Sequence, residues 1–559
     1  MEIGSKSAIR NPQSEIRNSP MTMRTRTDAL LIVGFCAFLF FYGLGQFGLI
    51  GADEPRYAQI AREMLEHRDW ITPVLGGRPW LEKPPLYYWQ AMLVDSIMGV
   101  SDVTARVPSA IDATLLVVAV YLFFRRFRPG VEVDAALITA SCAGVVGYAR
   151  AASMDMALAA AFSMGMLAWW AWRENGRRIY LALFYVSMAL GMLAKGPVAP
   201  FLAATIVVLF AVAARESRLI AGTLWWPGIL LFCAIALPWY IAVEMRNSQF
   251  FREFIVEHNL ARFSTDLYHH RQPFWYYVPV TAVALMPWTV FVIAALVEPV
   301  RAWWAERKAS STEPDLELQF RLFVCCWLVV PLAFFSISLS KLPGYIVPAI
   351  PAGAALLADY LHQHLERETV VSKWLAVLHG VVASAPIVPA LLIAYAITQH
   401  RLPAGRPTLV ALAIGFVLCA AIALTLVSRL GLRMLRFVTL VPVVLAVAAV
   451  MKLGTTALDQ TLSARPLAVE LAAVETRTMP VAVCGVSREL EYGLAFYRNQ
   501  RIARYESGNV PAGEHLLVAA GAWRPNVVEQ TAGRRVWFLG HNEPQGVDYF
   551  WVSAAGAKP

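Results

Sequence analysis

Asp53, Glu54, Glu82 and Lys83 stand in a polar, aromatic-rich stretch, residues 51–90, of a chain otherwise dominated by apolar runs of membrane length. Carboxylates here can act as bases or orient a polar substrate, and a lysine can steady an anionic phosphate. Asp53-Glu54-Pro55 is also how a helix opens, with Asp53 as its cap and Pro55 in the first turn. Tyr57, Ile60, Ala61, Met64 and Leu65 then keep the helical period, while Arg56, Arg62, Glu63 and Glu66 point elsewhere. That pattern predicts a helix lying on a bilayer surface. The stretch reads as an active site at the water–lipid boundary, against the plainer alternative of a capped surface helix.

Two further stretches carry candidate chemistry. Within residues 257–277, Arg262 and Arg271 suit bidentate grips on phosphate. His258, His269 and His270 can be metal ligands, acid–base groups or interfacial anchors. Glu82 with His258 is the candidate pair for a divalent cation, although no spacing rule stands behind it. In Ser338-Leu-Ser-Lys-Leu-Pro-Gly-Tyr-Ile-Val-Pro348, Pro343-Gly344 alone explains a broken turn between spans. Lys341 either snorkels there or, with Tyr345, meets a lipid-linked phosphate. Lys195-Gly-Pro197 is a weaker signal, and Asp112 reads as a buried carboxylate without an assigned role.

The elements that must position these residues are membrane spans. The chain has 559 residues, 58% hydrophobic and 16% charged, where a soluble protein is closer to about a quarter charged. Apolar runs fall at 29–48, 106–124, 132–149, 154–172, 179–194, 197–214, 225–243, 275–297, 320–339, 343–361, 375–397, 408–427 and 437–452. This predicts an all-α polytopic membrane protein of about 13 helices. Residues 1–28 form a polar, basic N-terminus. Arg125 to Arg128, Arg173 with Arg177-Arg178, Arg215 with Arg218, Arg301 to Lys308, and Arg429 to Arg436 all land on one side, which the positive-inside rule makes cytoplasmic. The net charge of +9 is thereby explained without nucleic acid.

On the other side lie Asp53, Glu54, Arg56, Glu82, Lys83, Arg106, Arg150, Asp155, Lys195, Arg262, Asp266, Arg271 and Lys341. Charges at membrane depth are costly, so a set at helix ends on one face marks a site. Mixed signs suit a substrate with an anionic phosphate and a polar or cationic group, and suit a simple cation channel poorly. From residue 453 the hydropathy falls. Residues 480–484, 515–519, 535–539 and 549–552 read as strands, with a helix over 488–498, giving a small soluble α/β domain over 453–559. Its expected role is a structural or acceptor-orienting cap. The seven cysteines show no disulfide or zinc spacing.

Asp-Glu in the first outer loop of a polytopic chain with a soluble tail resembles the protein O-mannosyltransferase superfamily, of GT-C type. More closely, DEPRYAQIAREM, WLEKPPLYYW, EHNLARF with PFWYY, and SKLPGYIVP resemble the bacterial aminoarabinose transferases of lipid A. The resemblance is specific over about residues 50–350 and loose beyond. It implies a glycosyltransferase of the bacterial inner membrane with its site in the periplasm. Such an enzyme moves 4-amino-4-deoxy-L-arabinose from undecaprenyl phosphate to lipid A phosphates, giving resistance to polymyxin and cationic peptides. It implies Asp53 as the first-loop catalytic carboxylate, with Asp155 and Glu54 as acidic partners. Arg56, Tyr57, Glu82, Lys83, Tyr87, Arg262, Arg271, Lys341 and Tyr345 form the substrate-binding set, with Lys83, Arg262, Arg271 and Tyr345 around the carrier phosphate. No cofactor is implied beyond the candidate divalent cation, and a monomer among membrane lipids is expected. The alternatives are another sugar, a protein hydroxyl acceptor, or a membrane transporter, which would need repeats and interrupted helices.

Overall fold

The computed structural model describes residues 23–254, 272–309, 315–366, 373–384, 431–508, 510–521 and 533–555, together with 527, 529 and 531. The first eleven helices are α1 (Met23–Cys36), α2 (Asp53–His67), α3 (Leu86–Met98), α4 (Asp102–Phe127), α5 (Glu132–Ser141), α6 (Ala143–Ala149), α7 (Met154–Asn175), α8 (Arg178–Lys195), α9 (Val198–Ala213), α10 (Arg218–Thr223) and α11 (Trp226–Arg246). Among the described residues, α4, α7, α8, α11, Leu316–Ile337 and Pro343–His364 are each long and apolar enough to cross a membrane. Three bent pairs raise the number to nine if each pair is one span.

Two predicted continuous spans are broken. The run 132–149 bends by 64° at Cys142, and the run 275–297 bends by 115° between Ala284 and Thr289. The breaks dock on each other: Ala143 N–H donates to the Met286 carbonyl at 2.8 Å, and Trp288 Nε1 donates to Ser141 Oγ at 2.8 Å. Backbone groups freed from the helix are thus satisfied within the protein, as lipid requires. The first span stops at Phe41 instead of residue 48. Arg150 ends it by donating to the Leu39 and Tyr42 carbonyls at 2.9 and 2.8 Å. The predicted run 408–427 and most of 375–397 lie outside the described residues.

α2 forms where expected, and the face expected to meet lipid packs on protein instead. Glu54, Tyr57, Gln59, Ile60, Glu63 and Met64 are all buried. Nor does Asp53 cap it: Ala52 holds the cap position without a side-chain bond, and Asp53 is the first helical residue. Buried Glu63 takes the Gly76 and Gly77 N–H groups at 2.9 and 3.0 Å. Those glycines have φ of +59° and +73°, which a two-residue hairpin turn between β1 (Val74–Leu75) and β2 (Arg78–Pro79) requires. The segment between α2 and the hairpin is pinned by α11, through Arg246 to Asp69 at 2.9 Å and Trp239 Nε1 to the Ile71 carbonyl at 2.9 Å.

At the opposite end of the bundle, the ion pairs Arg128–Glu174, Arg173–Glu216 and Arg321–Asp359 tie helix ends together at 3.2, 2.8 and 2.9 Å. Beside them Trp169 stacks on Phe323, Phe210 meets Trp170 edge-on, and the Arg173 guanidinium lies 4.9 Å from the Trp170 ring centroid. Arg128 and Arg173, from two of the predicted cytoplasmic basic clusters, therefore sit away from Asp53.

The C-terminal region adds β3 (Val481–Cys484), β4 (Ala503–Arg504), β5 (His515–Ala520), β6 (Val536–Asn542) and β7 (Val547–Val552) in the order β4-β3-β5-β7-β6. β3 is parallel to β4 and β5, and β7 is antiparallel to β5 and β6. The helix Arg488–Arg498, capped by Ser487, is the one expected; the two-residue β4 was not. This region docks on the first outer loop. Tyr497 OH accepts from Leu49 N–H and donates to Asp102, both at 2.6 Å. Arg465 reaches Asp102 at 2.9 Å, and Gly48 N–H donates to Asp459 at 2.8 Å.

Candidate active site

Glu54 is the node from which the site is built. One carboxylate oxygen accepts from Ala152 N–H at 2.8 Å and Arg106 Nε at 3.2 Å. The other accepts from Ile50 N–H at 2.9 Å and Arg106 Nη2 at 2.6 Å. Arg106, 1% exposed, also donates to the Leu44, Phe47 and Gly48 carbonyls. Glu54 is therefore enclosed and fully bonded, a holder of backbone. It anchors the residue beside Asp53 and also Ala152, three residues before Asp155.

Asp53 projects outward at the start of α2 and pairs with Arg56 one turn on. The Arg56 guanidinium is surrounded by the rings of Tyr57, Trp80 and Tyr492, 5.1, 5.3 and 5.5 Å from their centroids. Burial opposes its charge, but Tyr57, Asp53 and Glu82 outweigh this and raise its pKa. Glu82 thus lies within electrostatic reach of Arg56. Lys83 is half-buried in the same loop.

Asp155 sits in the first turn of α7. Its carboxylate accepts from Ser153 Oγ at 3.0 Å and pairs with Lys195, the last residue of α8. Lys195 Nζ in turn lies 4.7 Å from the centroid of the Tyr345 ring. Gly344 passes so close that a Cβ there would fall 2.7 Å from Asp155 Oδ2. Burial, then Asp53, and more weakly Asp155 push the Tyr57 pKa up. The two carboxylates therefore act on one hydroxyl. Tyr148 is within electrostatic reach of both as well.

The structure thus brings Asp53, Arg56, Tyr57, Glu82, Asp155 and Tyr345 to one end of the bundle. Tyr87, fully buried, donates to the Ala105 carbonyl at 2.7 Å and belongs to the wall. Lys341 does not snorkel: it is 4% exposed and donates to the Ser338 carbonyl, fixing the turn before Tyr345. Arg262, Arg271 and His258 lie outside the described residues. Among the described residues no group of three or more His, Cys, Asp or Glu is placed to hold a metal. Sequence reasoning underweighted Lys195 and missed Tyr148 and Tyr492. The Lys-Gly-Pro break signalled the first, and nothing local signals the other two.

The dolichyl-phosphate-mannose-protein mannosyltransferase family model matches residues 28–252. An undecaprenyl phosphate-alpha-4-amino-4-deoxy-L-arabinose arabinosyl transferase of Aeromonas salmonicida is 31% identical over 449 residues, 77% of this chain and 78% of the relative. The chain belongs to this arabinosyl transferase family. A member from Pseudomonas aeruginosa is 31% identical over 351 residues, and there the match spans 61% of each chain. The fold is that of ArnT from Cupriavidus metallidurans, solved bound to undecaprenyl phosphate: TM-score 0.74 at 21% identity, covering 95% of this chain and 99% of that one. The family thus accounts for a multi-pass membrane body with a small C-terminal sheet.

Proposed function

We propose that this chain transfers 4-amino-4-deoxy-L-arabinose from undecaprenyl phosphate to a lipid A phosphate in the bacterial inner membrane, with site and C-terminal domain facing the periplasm. The observation that carries the reading is the convergence of Asp53 and Asp155, each paired with a cation, beside Tyr345 and the Glu82–Lys83 loop. Family membership supplies the substrates.

A phosphate acceptor is already anionic, so proton removal contributes little. The barrier lies in loss of undecaprenyl phosphate and in the oxocarbenium-like sugar. Lys83, with Arg262 and Arg271 on sequence grounds, stabilises charge growing on the departing phosphate, and Tyr345 positions it. Asp53 orients the sugar or acceptor or pairs with the cationic 4-amino group, while Asp155 is held in place by Lys195. Direct displacement inverts the anomeric centre. The added amine lowers the negative charge of lipid A, which accounts for polymyxin resistance.

The test is lipid A mass spectrometry in a strain lacking its own transferase, complemented with wild type or Asp53→Asn. Aminopentose added by wild type alone is expected. Addition by both discards the essential carboxylate, and addition by neither, with donor present and protein expressed, discards the substrate assignment.

A further inference from the structure

Arg56 and Arg62 both reach from α2 to the C-terminal helix Arg488–Arg498, and each meets one of its aromatic rings. Tyr492 lies over Arg56 at 5.5 Å, and Phe496, one turn on, lies over Arg62 at 4.5 Å. Arg62 also donates to the Phe496 carbonyl at 2.7 Å, which fixes the register of the two helices. That register brings Tyr492 to the guanidinium that pairs with Asp53. Among the described residues the buried Arg56 Nε has no hydrogen-bond partner, and Arg56 is held on that side by ring faces. Two of those rings, Tyr57 and Trp80, come from the first outer loop; the third comes from more than 400 residues later.

We propose that the C-terminal domain completes the site, with Tyr492 as a positioning residue that acts through Arg56 to set Asp53. The ring closes the cage, keeps water from the guanidinium and confines it to the rotamer that meets the carboxylate. Opened on one side, Arg56 samples other rotamers, and Asp53 loses its fixed partner. This rests on the proposed transfer reaction, whose essential carboxylate Asp53 would be.

The experiment uses purified full-length protein with undecaprenyl phosphate-linked aminoarabinose and lipid A. Tyr492→Ala and Tyr492→Leu are expected to lower kcat about 3- to 30-fold, the span of one cation–π contact between exposed and desolvated sites, with KM for the donor held within about twofold. Tyr492→Phe, which keeps the ring face, restores kcat to within about twofold of wild type. In an Arg56→Ala background, Tyr492→Ala causes no further loss, because residues acting through one another are non-additive. Leucine keeps the apolar volume and covers the case in which the alanine variant fails to fold. Equal rates for wild type and Tyr492→Leu, failure of phenylalanine to rescue, or additive losses with Arg56→Ala would each overturn the proposal. Failure of the proposed function looks different: the wild-type chain itself adds no aminopentose.

Discussion

Replacing Glu54 by glutamine tests the node that holds both candidate carboxylates. The amide keeps one acceptor oxygen and turns an NH2 toward the other pair of donors. In one orientation it faces Ala152 N–H and Arg106 Nε; in the other, Ile50 N–H and Arg106 Nη2. Two buried donors then lose their acceptor, at about 1–3 kcal/mol each. Arg106 also keeps a buried charge without its counter-ion, a situation that costs about 3–5 kcal/mol. These counts overlap, and the expected destabilisation is about 3–5 kcal/mol, read by urea unfolding of the protein in mixed micelles with tryptophan fluorescence. The double variant Glu54→Gln/Arg106→Gln removes the uncompensated charge and should lose less than the sum of the single variants. A Glu54→Gln protein within about 0.5 kcal/mol of wild type, the range of an ordinary surface change, would refute the account.

Gly344→Ala should lower kcat by at least about tenfold while leaving expression unchanged, since its Cβ would fall 2.7 Å from the Asp155 carboxylate and misplacement of about 1 Å can cost about 100-fold; normal turnover would show that Asp155 can move freely. Lys195→Met leaves Asp155 without its cation, and should cut transfer more than Lys195→Arg does; equal rates in the two would remove charge from the argument. Asp95, on α3, has its carboxyl pushed up to about 6 by burial, against the Thr104 hydrogen bond and Arg62. A raised carboxyl means that the folded state holds the proton more tightly. Stability from this group is full below its ordinary value of 3.8 and is lost as pH rises through about 6. Asp95→Asn should therefore raise Tm relative to wild type at pH 7.5 and much less at pH 4; a gain independent of pH would contradict the assignment.

Several elements are legible in the chain itself. Asp-Glu-Pro marks the start of α2, and the helix expected over 488–498 forms over those residues. What hydropathy could not show is a break within an apolar run. Both halves of 132–149 and of 275–297 are apolar, and the bend at Cys142 is repaid by a hydrogen bond to Met286, which no local pattern encodes. The burial of α2 was misread because Glu63 and Arg62 look like solvent-facing charges, whereas their partners, a hairpin turn and a C-terminal carbonyl, come from folding. In the site, the residue types were readable from the sequence but the pairings were not: Glu54 meets Arg106 across 52 positions, and Asp155 meets Lys195 across 40. Tyr492 lay in a region whose sequence carries no catalytic pattern.

The bonds from Gly48 to Asp459 and from Leu49 to Tyr497 span 411 and 448 positions. During synthesis the first outer loop reaches its side of the membrane long before those acceptors exist. At about 5–20 residues per second, the wait is roughly 20 to 90 seconds. Over that interval the Gly48 and Leu49 N–H groups have only water to bond, and the helix carrying Asp53 lacks the C-terminal helix that packs on one of its sides. The candidate site is therefore among the last parts of the chain to be assembled, and a ribosome that stops early leaves an inserted membrane body whose first loop lacks its C-terminal anchor.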